Sequence, residues 1–294
     1  MCSGGPRGSA LCVFVVASRN GRAVGSFGGS RGKHRPVLIG AATAHKMASW
    51  GREIYQPAFT QQLGLLALPE SQFPDVLQHL SHLPKRYARL YIQLNDQTPL
   101  LPPLSFTSQT RITYHLPLHP EYATLRAGYA ADYRRRLRQN NELPAPLTVS
   151  QSSSVEEMLA LFKQYSGKAA GLKSRHYQQL QALYTVLQQH NQALPLEVRA
   201  FETGELLAAA LFVRFRTRLV YLFAVASPAG KKAAAPLLLL DSVIQRHAGT
   251  DLVLDFEGGM IESIARFFAN FGATPVPYAA LSFTQRPWYL QWIR

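Results

Sequence analysis

Residues 252 to 278, LVLDFEGGMIESIARFFANFGATPVPY, set two acids and two glycines between a run that reads as a buried strand and one that reads as an amphipathic helix. On a strand, Asp255 and Glu257 share one face, with Phe256 opposite them in the core. Two carboxylates that close repel, which pushes one pKa upward and suits a general base for an amine that must lose a proton. A helix N-terminus beginning after Gly259 acts in the other sense and lowers the pKa of a neighbouring carboxylate. A structural reading stands beside the chemical one: Asp255 and Glu257 cap that helix and bind an arginine. Gly258 and Gly259 serve a turn in either case.

A second constellation lies between the run RLVYLFAVA and the helix that follows it. The first turn of a helix has backbone N–H groups without intrahelical partners and about half a unit of positive charge, so it can receive a diphosphate. Gly230 lets the loop backbone approach a ligand, and Lys231 and Lys232 add charge. The same three residues also make an ordinary solvated turn. Elsewhere, Gln56, Gln61 and Gln62, flanking Pro57 and Phe59, can line a polar acceptor pocket. Metal chemistry finds no support: Cys2 and Cys12 lack ligand spacing, and the nine histidines show no zinc pattern. His115 and His119 straddle Pro117, which disfavours a helical ligand pair. No G-x-S-x-G or Cys/His pattern supports a covalent route.

The elements that must position these residues follow from periodicity. The first half is strand-rich: an Asn-Gly hairpin in residues 11 to 29, then RPVLIGA, IYQPAFTQQLGLLAL, a helix in SQFPDVLQHLSHL, the strand RLYIQLN, a turn at TPLLPPL and the strand TRITYHLPL. From Pro120 to Asn141 the period becomes helical. Tyr122, Leu125, Tyr129, Tyr133 and Leu137 form one stripe, with Arg126, Arg134, Arg135 and Arg138 mostly off it. That long basic helix reads either as a solvated face over a tyrosine contact or as a phosphate-binding ridge. The second half runs as strand PLTVS, helix SVEEMLALFKQY with a capping box of Ser154 and Glu157, and helix RHYQQLQALYTVLQQH. Strands PLEVRAFE, ELLAAALFVRF and RLVYLFAVA follow, then a loop and a helix holding Pro236 and stopping at Gly249. Strand DLVLDF, helix MIESIARFFANF and strand VPYAALSF finish the order. In that last helix Met260, Ile264, Phe267, Phe268 and Phe271 read as core. The expected organisation is a disordered tail over 1–10, a first half over 11–119, a connecting basic helix over 120–145 and a second domain over 146–294.

Composition bounds the function. Apolar residues make up 47% and charged residues 16%, which excludes a disordered chain. The net charge of +14, from 31 Lys and Arg against 17 Asp and Glu, favours anionic partners: a phosphorylated cofactor, tRNA or anionic lipid. No run reaches the roughly 18 apolar residues of a membrane helix, so a soluble or at most peripheral protein of the reducing cytoplasm is expected.

Two helices, a three-strand meander, a small-residue loop with Gly and Lys, then helix, strand, helix and strand resemble the acyltransferases of the GNAT superfamily over residues 146 to 284. The ending LDFEGGMIESIARFFANFGATPVPY, the stretch IYQPAFTQQLGLL and the Tyr/Arg helix ending in YRRRLRQNN resemble a divergent branch related to FemAB peptidyltransferases. The resemblance implies an α/β (α+β) fold with a mixed, mostly antiparallel sheet flanked by helices, in two GNAT-like halves, the first lacking a cofactor. It implies acetyl-CoA or another acyl-CoA as donor, with its pantetheine arm against Val225, Ala226 and Ser227 and its diphosphate held by Ala229 to Ala233, that is Ala229, Gly230, Lys231, Lys232 and Ala233. The sequence departs from the superfamily's loop signature, since Ser227 precedes Gly230 and Lys232 fills the second small position. Tyr221 or Tyr278 would protonate the leaving thiolate, and Glu197 occupies a strand position where the superfamily often keeps its base. The acceptor would be a small-molecule or peptide amine. FemAB relatives instead draw an aminoacyl group from tRNA, and a non-catalytic module for anionic ligands is the third reading.

Overall fold

The computed structural model describes residues 37–39, 42–44, 53–56, 58–66, 88–98 and 106–285, apart from 153 and 169. The expected opening hairpin, the helix in SQFPDVLQHLSHL and most of the TPLLPPL turn lie outside these residues. The chain divides into two units, one of residues up to Ile112 together with those from Pro277, the other Thr113–Val276. The fold is of mixed α/β type, with mostly antiparallel strands flanked by helices.

In the second unit the strand order is β6 (Thr107–Pro117, its latter part), β11 (Val253–Asp255), β10 (Arg218–Ala226), β9 (Leu206–Phe215), β8 (Ala193–Arg199) and β7 (Val149–Gln151). Every neighbouring pair is antiparallel except β10 with β11. Seven helices accompany them among the described residues: α1 (Tyr122–Ala127), α2 (Ala131–Asn141), α3 (Val155–Tyr165), α4 (Ser174–Gln189), α5 (Pro228–Lys232), α6 (Ala235–His247) and α7 (Glu262–Ala269). Strand β9 is buried from Leu206 to Val213 without alternation, as a strand covered on both faces must be. Helix α6 is likewise apolar nearly all round, and Leu237, Leu238, Leu239 and Leu240 are all buried.

Three expectations need correction here. The single helix from 120 to 141 is two: Gly128 ends α1, Tyr129 packs edge-on against Phe271 at 5.2 Å, and the Ala130 amide donates to the Asn270 carbonyl at 2.8 Å. The apolar stripe survives the break, because Leu125, Tyr129, Tyr133 and Leu137 are all buried. Ser154 caps α3, but through Glu156: its hydroxyl accepts from the Glu156 amide and donates to the Glu156 carboxylate, while Glu157 turns to Arg199. Helix α7 starts only at Glu262, which leaves Met260 before it; Met260 and, within the helix, Ile264 stand exposed (44% and 39%), and the core contact is made by Phe268 and Phe271.

In the first unit β1 (Val37–Ile39) pairs antiparallel with β4 (Gly64–Leu66). Beside that pair runs the order β2 (Ala42–Ala44), β3 (Glu53–Tyr55), β5 (Arg89–Gln93) and the latter part of β12 (Thr274–Thr284). Strands β3 and β5 are parallel and the other two pairings antiparallel. Leu63, Leu90, Ile92, Leu94, Phe106, Ala279 and Leu281 form its core. The expected division at 119 and 146 therefore differs from the observed one: Ala280–Thr284 pair with Arg89–Gln93, which puts the end of the last strand with the first unit.

Candidate functional site

The parallel ladder between β10 and β11 is short. It runs through Arg218, Leu219 and Val220, matched with Val253, Leu254 and Asp255, and there it stops. Strand β10 continues to Ala226, paired along its other edge with β9 as far as Ala208. Among the described residues the β10–β11 ladder does not extend past Val220, so a slot between the two strands begins where β11 ends. A β-bulge sits at the mouth: Tyr221 faces Phe212 and Phe223 faces Leu211, so Leu222 is the extra residue that twists the strand.

Asp255 closes the paired end of the slot. It is buried, and its two oxygens are fully engaged: Oδ1 accepts from the Thr113 hydroxyl (2.8 Å) and the Glu257 amide (3.0 Å), and Oδ2 accepts from Arg218 Nη1 (3.2 Å). His115 Nε2 lies 3.2 Å from Oδ2 and 2.8 Å from Arg218 Nη1. Arginine has no acceptor, so an Nε2 that accepts from Arg218 cannot also donate to Asp255; only one of these contacts is a hydrogen bond at a time. Burial opposes ionisation of Asp255, but His115, Arg218 and Thr113 outweigh it and hold the carboxyl below its ordinary range. Such a group is a poor proton acceptor.

Glu257 differs in every respect. It is not on the strand: β11 ends at Asp255, and Glu257 adopts a left-handed backbone with φ of 51°. The shared face expected for the two acids is therefore absent. For a residue with a side chain that conformation is uncommon, and the bond from its amide to Asp255 Oδ1 holds it. The carboxylate is partly buried and meets no hydrogen-bond donor or cation among the described residues. Burial first, and the Asp255 charge second, push its pKa well above the ordinary carboxylate range.

The residues expected to meet an acyl donor follow the slot. Val225, Ala226 and Ser227 are buried. The segment after them is a helical turn, α5, not an open loop: Ser227 caps it by accepting from the Gly230 amide at 3.0 Å, and Ala234, at φ 58°, separates it from α6. Gly230 has a different cause from the one expected. A Cβ on it would stand 1.9 Å from the Leu207 carbonyl oxygen, so its bare backbone admits β9. Ala229, Lys231, Lys232 and Ala233 are exposed. The Tyr221 ring touches Phe212 and Phe268 (centroids 5.1 and 6.2 Å), and burial raises its phenol pKa.

Other expected residues are engaged in structural bonds. Glu197 is buried and takes both Arg199 Nε (2.7 Å) and Nη2 (3.2 Å). Burial opposes its ionisation, yet Arg199 and Ser152 outweigh that and lower its pKa, so it is not set up to accept a proton. Gln56, Gln61 and Tyr278 belong to the first unit. Gln56 donates to the carbonyls of Thr60 and Gln61 and accepts from the Gln93 amide, which leaves its side chain committed to its own loop. Tyr278 is wholly buried, accepting from Gln61 at 2.9 Å and donating to Gln93 at 3.1 Å. The structural reading holds in one respect: Asp255 binds an arginine, Arg218. Thr113 and His115 as supports of Asp255 are not legible in the sequence, where His115 stands out only as half of a disfavoured metal pair.

A family profile described as "Acetyltransferase (GNAT) domain" matches residues 104–262. No curated protein matches the chain. Among solved structures, FemX is similar with a TM-score of 0.61 at 11% identity, over 90% of this chain and 88% of that one. A conserved protein of unknown function from Bacteroides thetaiotaomicron VPI-5482 gives 0.53 at 11% identity, over 77% and 80%. A tandem GNAT protein from the clavulanic acid biosynthesis pathway gives 0.51 at 12% identity, over 85% and 80%. At such identities the likeness is one of fold, while the profile spans more than half of the sequence. The chain belongs to the GNAT superfamily.

Proposed function

We propose that this chain is an N-acyltransferase that moves an acetyl or other acyl group from acyl-CoA to an amine, with Glu257 as general base. The observation that carries this is the end of the β10–β11 ladder at Val220 and Asp255, with a carboxylate of raised pKa just beyond it that meets no partner among the described residues. A thioester in the slot would lie along the edge of β10 beyond its ladder with β11, where a strand backbone can bond an extended pantetheine as a sheet bonds an added strand. The amine attacks the thioester carbonyl carbon, its proton passes to Glu257 directly or through one water, and the tetrahedral intermediate collapses with loss of the thiolate. Tyr221, kept protonated by burial, is the candidate to return a proton to sulfur. Asp255 is a positioning residue in this scheme: it fixes the Glu257 turn and raises the proton affinity of the base. Lys231 and Lys232 supply the charge a CoA diphosphate meets.

Calorimetric titration with acetyl-CoA tests the donor. Saturable one-site binding that is lost in Lys231→Glu/Lys232→Glu supports it, and no binding by folded protein refutes it. Glu257→Gln tests the base: turnover should fall with donor binding intact. The net charge of +14 favours one further reading, in which tRNA carries an aminoacyl donor as in FemAB relatives. Its affinity would drop steeply with salt, by a logarithmic slope of about 0.7 to 0.9 per neutralised phosphate.

A further inference from the structure

Helices α1 and α2 enclose a concavity of about 510 Å³ lined by Tyr122, Ala123, Arg126, Ala127, Arg134, Arg138 and Asn141. Three of its seven lining residues are arginines. Arg134 and Arg138 stand four apart on α2, where like charges repel. None of the three meets a carboxylate within ion-pair distance among the described residues. Their neighbours on the same helix behave differently, because Arg135 and Arg136 are both tied to Asp132, the latter at 2.8 Å. The floor is built: Tyr122 donates to both oxygens of Asp241 (2.9 and 3.0 Å), and Arg126 lies 5.9 Å from the Tyr122 ring centroid. Helix α2 thus ties Arg135 and Arg136 to Asp132 and leaves Arg134 and Arg138, which line the concavity, without a carboxylate at ion-pair distance among the described residues, while Arg126 on α1 acts on Asp241 beneath the floor only through the longer-range charge interaction.

We infer that this concavity is a binding site for the diphosphate group of a small soluble molecule, separate from the acyl-donor slot. Guanidinium forks match phosphate oxygens two at a time, and three of them in one hollow call for more than one negative charge. The volume lies in the range of small-molecule sites. A polymer backbone would need a stripe of free cations along the helix, and Asp132 interrupts any such stripe at Arg135 and Arg136. This inference does not depend on the acyltransferase reading.

The test is titration of the whole chain with inorganic pyrophosphate as probe, followed by heat. One-site binding is expected, about tenfold weaker or more in Arg134→Gln/Arg138→Gln, and changed less than about threefold in Arg135→Gln/Arg136→Gln, which loses the same charge outside the hollow. Arg134→Lys/Arg138→Lys, keeping charge without the fork, should fall between them. All these side chains are exposed, and thermal melts confirm that the variants fold. Absence of saturable binding overturns the site, as does equal loss in the two glutamine variants. Binding of an RNA oligomer or of anionic vesicles without binding of pyrophosphate also overturns it. Acetyl-CoA titrated into the same variants should be unaffected. A parallel loss there would make the hollow part of the donor site and end the claim of separateness, whereas failure of acetyl-CoA to bind at all leaves the pyrophosphate result standing.

Discussion

Gly230→Ala separates two reasons for a glycine beside a donor slot. The added methyl would stand 1.9 Å from the Leu207 oxygen, and contacts of this kind essentially never fall below 3.0 Å, so α5 must retreat from β9 by about an ångström. That oxygen already accepts from the Ser227 amide at 2.9 Å, and the Gly230 amide is itself capped by the Ser227 hydroxyl. Retreat stretches both bonds. Overpacking of this size costs about 1–3 kcal/mol, and weakening of one or two neutral hydrogen bonds about 0.5–1.5 kcal/mol each. We expect a loss of about 2–4 kcal/mol in urea denaturation, read as a lower midpoint at unchanged slope. Donor affinity should fall as well, since the same retreat displaces Lys231 and Lys232. A variant that keeps its stability within about 0.5 kcal/mol and loses only donor binding refutes the packing argument, and would return Gly230 to the role of admitting a ligand.

Four further outcomes are expected. Glu257→Gln should lower kcat by roughly 10²–10⁴ with little change in donor KM, measured as acyl transfer to a responsive amine. The acidic limb of the wild-type rate profile should lie above the ordinary carboxylate range, because the base is active only when ionised and its pKa is raised; Asp255→Asn should move that limb down. The folded-state pKa of Asp255 is lowered, so its stabilisation is present above its unfolded value of about 3.9 and is lost as pH falls toward the folded one; denaturation curves of Asp255→Asn should lack that acid-dependent part. Phe271→Ala, removing a ring that touches Tyr129, Tyr133, Phe256 and Phe267, should cost about 3–5 kcal/mol in the same assay.

Much of the scaffold was legible because it is written in long, unambiguous runs. RLVYLFAVA is β10 without change, and the helix holding Pro236 ends at His247, with Gly249 left-handed just beyond it. What could not be read is whatever depends on a partner distant in the chain. The slot exists because pairing of Val220 with Asp255 is the last rung, and no feature of either segment alone marks it. Against the opposing effect of burial, Asp255 owes its lowered pKa to His115, which reaches it from β6, to Arg218 on β10 and to Thr113 on β6. Local pattern also misled where two explanations share one residue. Gly258 takes the left-handed conformation expected of it, at φ 42°, but so does Glu257 before it, at φ 51°, a conformation that sequence rules reserve mainly for glycine. The alternation of Asp255 and Glu257 assumed a strand that had ended.

The bulge at Leu222 acts as a phase shift in the strand. Side chains of a regular strand alternate, so one inserted residue reverses which sequence parity faces which side downstream of it. Phe223 to Ala226 oppose Leu211 to Ala208 in register, so their facing is set by β9 and not by their own parity in the sequence. Removing Leu222 would keep those pairs and their facing while taking out the extra residue that twists β10 at the mouth of the slot. The bulge thus shapes the mouth and leaves the wall behind it unchanged.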